Sequence, residues 1–127
     1  MTAPVARLSG IGKRFGSVVA LRGADLEVRA GEVLGVLGEN GAGKSTLLGV
    51  LGGLIRADAG VVEIGGEVRV LRSPRDAWSA GVGMVHQHFT LVPALTVAEN
   101  LALGRGTGGG GWRLDAARLR AEVEGLM

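Results

Sequence analysis

The stretch GVLGENGAGKSTLLGV, residues 35–50, limits what this chain can fold into more than any other. Gly38, four further residues, then Gly43, Lys44 and Ser45 satisfy the pattern G-x-x-x-x-G-K-[ST]. Just before it, Val33, Leu34, Val36 and Leu37 make a nearly continuous apolar run, as a strand buried on both faces requires. Just after it, Leu47, Leu48, Val50, Leu51 and Leu54 recur at helical spacing. The sequence thus predicts a buried strand, a glycine loop and a helix. That junction has a definite chemistry. Glycines let the backbone close around phosphate oxygens so that successive N–H groups converge on them. The following helix adds its unsatisfied N–H groups and the positive end of its dipole. Lys44 would reach terminal phosphates, and the Ser45 hydroxyl would ligate Mg²⁺. The plain alternative is a glycine-rich turn between a strand and a helix, and the flanking elements favour the phosphate reading.

Two details of the loop need a physical account. Glu39 is an acid among residues that would hold phosphates. Backbone amides do the binding, so its side chain is expected to face solvent or a neighbouring subunit, and no strand end fixes it as a catalytic base. Asn40 tolerates a left-handed backbone better than most residues, which suits a tight loop. In the helix, Gly49, Gly52 and Gly53 each cost about 0.8–1 kcal/mol relative to Ala, so packing must compensate.

At 127 residues the chain is long enough for one modest domain and too short for two. Hydrophobic residues make up 46% and charged residues 20%, a globular rather than disordered balance. No apolar run approaches the roughly 20 residues of a membrane span, and the start, MTAPVARLSGIGKRFG, lacks the apolar core of a signal peptide. The absence of cysteine excludes disulfides and thiolate metal sites. A cytoplasmic protein is the expectation. The net charge of +2 comes from scattered residues, with Lys13 and Lys44 the lysines and arginine the rest. Without a basic block or interleaved aromatics, no nucleic-acid partner is expected.

Elsewhere, residues 5–9 and 18–29 alternate apolar and polar positions, as strands with one wet face do. Residues 59–71 read as two short strands around Gly65–Gly66. Residues 73–81 read as a short helix with Ser73 as N-cap and Pro74 at its first position. GVGMVHQ, ending at Gln87, reads as another apolar strand. GRGTGGGG at 104–111 reads as a flexible connector, and the residues from Arg113 onward as a helix.

Three stretches together resemble the ATP-binding subunits of ABC transporters, of the type that imports nucleosides and simple sugars. They are KRFGSVVALRGADLEVRAGEVLGVLGENGAGKSTLL, GEVRV, and SPRDAWSAGVGMVHQHFTLVPALTVAENLALG. The resemblance covers essentially the whole chain and implies an α/β fold of the P-loop NTPase class. It would hold the N-terminal β-subdomain and the first part of the RecA-like core, and residues 1–127 would be the N-terminal portion of one nucleotide-binding domain. The resemblance places Gly38, Glu39, Asn40, Gly41, Ala42, Gly43, Lys44, Ser45 and Thr46 around ATP, with Ser45 and Gln87 on Mg²⁺. Phe15 matches the aromatic position that stacks on adenine; a flat ring suffices for about 1 kcal/mol. Without that context Phe15 is an ordinary core residue and Gln87 a polar strand terminus. Lys44 and Gln87 would carry the catalytic contacts, Gln87 also relaying to a membrane subunit. His86 and His88 flank Gln87, but no third ligand accompanies them and no metal is expected there. Phe89, Leu91, Val92, Leu95 and Val97 are more apolar than a free loop needs, and the resemblance implies that they receive a permease; plain core packing is the alternative.

The resemblance also implies a signature motif, a Walker B aspartate, a catalytic glutamate and a switch histidine downstream of Gln87. Walker B needs about four apolar strand residues before its carboxylate, and Asp58, Glu63, Glu99 and Asp115 all lack them. The strands that would lie between residues 33–37 and 82–85 are missing too, so both segments should expose apolar edges. The expectation is part of the energy-coupling subunit of an importer, catalytically inactive as these residues alone. Its partners would be membrane permease subunits, a second nucleotide-binding domain and, indirectly, a substrate-binding protein, at the inner face of the cell membrane. The alternatives are a non-catalytic nucleotide- or permease-binding module, and a soluble ABC ATPase unconnected with transport.

Overall fold

Strand β1 runs Pro4–Phe15 and pairs antiparallel with β2, Val18–Arg29. Sequence alternation marks this strand only over residues 5–9. The chain instead passes through a β-bulge. Leu8 faces Leu26 and Ile11 faces Ala24, so β1 spends one more residue than β2 over this interval. Gly10 takes φ 62°, and its amide donates to Asp25 Oδ1 at 2.7 Å. The extra residue reverses the alternation, so that Leu8 and Ile11 both point inward and are fully buried. Burying each contributes about 1.5–3 kcal/mol. Beyond the bulge β1 continues to Phe15, at the tip of the hairpin with β2.

The computed structural model describes residues 3–88 and 91–105, and beyond them Ala117, Ala121, Glu124 and Gly125. These form two compact units, Met1–Val85 and His86–Met127. In the first, β3 (Ala59–Ile64) adds to the far edge of β1, and β4 (Glu67–Val68) follows across the Gly65–Gly66 turn. The antiparallel sheet has the order β2-β1-β3-β4. Helix α1 spans Lys44–Leu51 and helix α2 spans Pro74–Ser79. Leu47 and Val50 of α1 and Ala77 of α2 join Leu8, Ile11, Leu21, Val62 and Leu71 in one core cluster. Gly49 shows how packing offsets the poor helix propensity: a Cβ there would lie 2.8 Å from Ile55 Cδ1, so only a bare backbone lets Ile55 close down on the helix. α2 starts as expected, with Pro74 at its first position and the Ser73 hydroxyl accepting from the Asp76 amide at 3.2 Å.

Two expected strands are not formed. Residues 33–37 and 82–87 have no ladder partner among the described residues, and the side chains meant to be buried stand in the open: Val33 and Val85 are 99% exposed, Leu37 94%. An apolar run can occupy the middle of a sheet, but it becomes a strand only when neighbours take up its N–H and C=O groups. Val82 is an exception, half-buried against the core cluster.

In the second unit, α3 spans Val97–Arg105. Thr96 and Glu99 form a capping box. The Thr96 amide donates to Glu99 Oε2 at 2.8 Å, and the Glu99 amide to Thr96 Oγ1 at 3.3 Å. Gly104 and Arg105, expected to open a connector, close α3; residues 106–111 lie outside the described residues. Of the helix expected from Arg113, the described Ala117, Ala121 and Glu124 are helical and the rest lie outside.

Candidate functional site

The phosphate loop folds around its own lysine. The Lys44 ammonium donates to the carbonyls of Gly38 at 2.5 Å and Glu39 at 2.7 Å, and the Ala42 amide donates to the Glu39 carbonyl at 3.1 Å. Among the described residues Lys44 meets no carboxylate, so its charge is answered by carbonyl dipoles alone. The Glu39 side chain is exposed, as expected. The left-handed positions fall on Gly41 (φ 85°) and Gly43 (φ 94°), not on Asn40, so Asn40 needs no special backbone tolerance. Gly43 is the N-cap of α1 and offers no side chain to its amides, and the first turn carries no acid. The helix therefore begins with uncapped donors and an unopposed dipole, a combination suited to an anion. Ser45 is exposed and Thr46 half-buried beside them.

Gly43 also fixes where the loop sits. A Cβ there would lie 2.8 Å from the Ala20 carbonyl oxygen and 2.7 Å from Leu21 Cδ2, so the loop presses against β2. Leu21 pairs with Lys13 of β1, and Phe15 is two residues farther along. At about 3.4 Å per residue, Phe15 stands roughly 7 Å along the strand from the level of the loop contact. Phe15 is 48% exposed, which removes the ordinary core reading. Lys13 Nζ lies 5.3 Å from the ring centroid and 3.0 Å from Asp58 Oδ1. The Arg14 amide donates to Asp58 Oδ2 at 2.8 Å. That amide first, and Lys13 second, hold the Asp58 carboxyl below its ordinary pKa. The first unit thus brings Phe15 and residues 38–46 to one end of the sheet.

Gln87, His86 and His88 are exposed and belong to the second unit. Among the described residues no group of three or more His, Cys, Asp or Glu could hold a metal ion. Of the apolar residues expected to meet a permease, Leu91 and Val97 are 65% and 70% exposed, and Phe89 lies outside the described residues. Sequence reasoning passed over Asn100. Its carboxamide donates to the carbonyls of Val92 (3.2 Å), Leu95 (3.2 Å) and Thr96 (3.0 Å), and its oxygen accepts from the Val92 amide at 2.8 Å. A polar amide directly after a capping box was the available signal.

A sequence profile described as ABC transporter matches residues 21–126. The chain belongs to the ABC transporter family. It is 49% identical over 121 residues to a ribose import ATP-binding protein of Rubrobacter xylanophilus, covering 94% of this chain and 23% of that protein. It is 48% identical over 132 residues to a glucose import ATP-binding protein of Haloferax volcanii, covering 97% of this chain and 24% of that protein. The chain therefore spans about a quarter of the length of these curated relatives. Among solved structures, an ATP-binding cassette of an ABC transporter superposes with a TM-score of 0.77 at 29% identity, over 94% of this chain and 51% of that one. A nucleotide-free ATP-binding cassette from an ABC transporter gives a TM-score of 0.74 at 32% identity, over 85% and 43%. The ABC-type α/β fold class that the resemblance implied is thereby established, with the antiparallel sheet as part of it.

Proposed function

We propose that this ABC-family chain binds ATP as part of the energy-coupling subunit of an importer for a simple sugar or nucleoside. The observation that carries the reading is the phosphate loop: a lysine with no carboxylate partner among the described residues, at the uncapped start of a helix, on the end of the sheet that bears an exposed Phe15. The relatives named for ribose and glucose import supply the substrate class. In this reading the loop amides and Lys44 neutralise the phosphates, and Phe15 stacks on adenine. Ser45 supplies a hydroxyl to Mg²⁺, a hard oxygen donor of the kind that suits that ion. Bound Mg²⁺ would offset phosphate charge. No described helix is long and apolar enough to cross a membrane. In this reading attachment is peripheral, through permease subunits docked on the apolar surface around Leu91 and Val97, with a second nucleotide-binding domain as the other partner.

A finer reading concerns turnover. The described carboxylates after Lys44 are largely committed to the scaffold: Asp58 to Lys13 and Arg14, Glu63 to Arg7, Glu67 to Arg69, Asp76 to the start of α2 and Glu99 to that of α3. This supports binding without hydrolysis by these residues alone. Equilibrium titration with Mg-ATP, alongside steady-state phosphate release, tests both readings. Binding should be lost in Lys44→Ala, and no release should be detected above that variant. Unchanged affinity in Lys44→Ala refutes the binding reading; release abolished by Lys44→Ala refutes the finer one.

A further inference from the structure

Lys13 and Phe15 sit two residues apart on β1, so their side chains leave the same face of the strand. The Lys13 ammonium stands 5.3 Å from the ring centroid, within the roughly 6 Å over which a cation is drawn to an aromatic face. It is held there. Asp58 Oδ1 accepts from it at 3.0 Å, and the Lys13 side chain is only 15% exposed. Asp58 is itself fixed at two further points: Oδ2 accepts the Arg14 amide at 2.8 Å, and its own amide donates to the Gly12 carbonyl at 2.9 Å. One aspartate thus clasps three consecutive residues of β1 from the segment that leads into β3.

Stability does not account for this arrangement. Asp58 is half-exposed, and ion pairs of that kind contribute little while immobilising a long side chain. What the clasp does achieve is to keep a cation at the ring of a Phe15 that is about half-exposed. An aromatic ring has two faces. With an ammonium drawn to one, a planar heterocycle finds its stacking surface on the other, and the ring cannot turn freely between them.

We infer that Lys13, held by Asp58, is a positioning residue that fixes the Phe15 ring and leaves one face for a nucleobase. The inference rests on the proposal that Phe15 stacks on the base of ATP. It adds that a side chain touching no part of the nucleotide sets the affinity for the base.

The test is equilibrium titration of the full chain with ATP and, separately, with inorganic tripolyphosphate, which has no base. The variants are Lys13→Met, Lys13→Arg, Asp58→Asn, Phe15→Ala and Lys13→Met combined with Phe15→Ala. Lys13→Met and Asp58→Asn should weaken ATP about three- to tenfold and leave tripolyphosphate unchanged. Lys13→Arg keeps a cation at the ring and should restore ATP affinity. Lys13→Met should add nothing once Phe15 is Ala. If Phe15→Ala leaves ATP affinity unchanged, the stacking proposal fails and this inference with it. If Phe15→Ala weakens ATP while Lys13→Met does not, the inference alone fails. Equal losses for ATP and tripolyphosphate in Lys13→Met would place Lys13 on phosphate charge and overturn it. Far-ultraviolet circular dichroism checks the folding of each variant, and Asp58→Asn, which leaves the lysine in place, decides the matter should Lys13→Met not fold.

Discussion

Replacing Gly43 by Ala should damage the protein through two separable costs, and its neighbouring glycines separate them. At φ 94° an L side chain is in the left-handed region, a cost of about 1–2 kcal/mol. The new Cβ would also lie 2.7 Å from Leu21 Cδ2 and 2.8 Å from the Ala20 carbonyl oxygen. A leucine methyl can turn aside, but a backbone carbonyl within β2 cannot, so the loop itself must move; overpacking of this kind adds about 1–3 kcal/mol. Against this, any Gly→Ala change gains about 0.4–1 kcal/mol by restricting the unfolded chain. The net expectation for Gly43→Ala is a loss of about 2–4 kcal/mol. Gly41 has φ 85° but nothing within 4 Å of a Cβ, so Gly41→Ala should lose only about 1 kcal/mol. Gly35 has neither constraint, and Gly35→Ala should be neutral or slightly stabilising. Urea unfolding followed by circular dichroism measures all three. If Gly43→Ala proves no worse than Gly41→Ala, the loop does not press on β2 and the placement of Phe15 relative to it loses its support.

Three other expectations follow from single contacts. Ser73→Ala removes the N-cap of α2 and should cost about 1 kcal/mol in the same unfolding assay, with Ser73→Asp restoring most of it. Asn100→Asp turns an amide that donates to three carbonyls into a carboxylate that repels them. Hydrogen exchange should accelerate through residues 91–100 while the amides of β1 and β2 keep their protection; uniform acceleration would show that Asn100 supports more than its own turn. Glu27, Asp58, Asp76 and Glu99 all have folded pKa values below their ordinary 4.5 or 3.8. The leading causes are the Arg29 side chain for Glu27 and the amides of Arg14, Arg72 and Thr96 for the others. Groups lowered on folding contribute stability that is complete above the ordinary values and is lost as pH falls through the folded ones. Stability should therefore be flat toward neutral pH and drop below about pH 4, and an acid titration of the unfolding midpoint that stays level would contradict the assignment.

The readable parts of this chain were those whose signals are local. The phosphate loop, the Gly65–Gly66 turn and the Ser73–Pro74 helix start each depend on a few adjacent residues, and each formed where the sequence put it. The parts that could not be read depend on partners. Residues 33–37 are apolar enough for the centre of a sheet, but apolarity says nothing of whether a neighbouring strand is there to bond them. The β1 bulge hides a strand behind two glycines and a change of parity. The Lys13–Asp58 contact joins residues 45 apart in sequence, and Asp58 had been weighed only as a catalytic carboxylate. The proposed site follows the same division: its phosphate end would lie in one continuous stretch, while the contacts proposed for its base end are assembled by the fold.

The phosphate loop is anchored unequally. On the helix side Leu47 and Val50 root it in the core, whereas on the other side residues 33–37 run past without a strand beside them among the described residues. Mechanically it is a cantilever, clamped at its root and loose along its arm. The firmness of its proposed hold on a phosphate would therefore be adjustable from outside the loop. Backbone laid against residues 33–37 would clamp the second end and stiffen the grip without touching a single atom that meets the nucleotide.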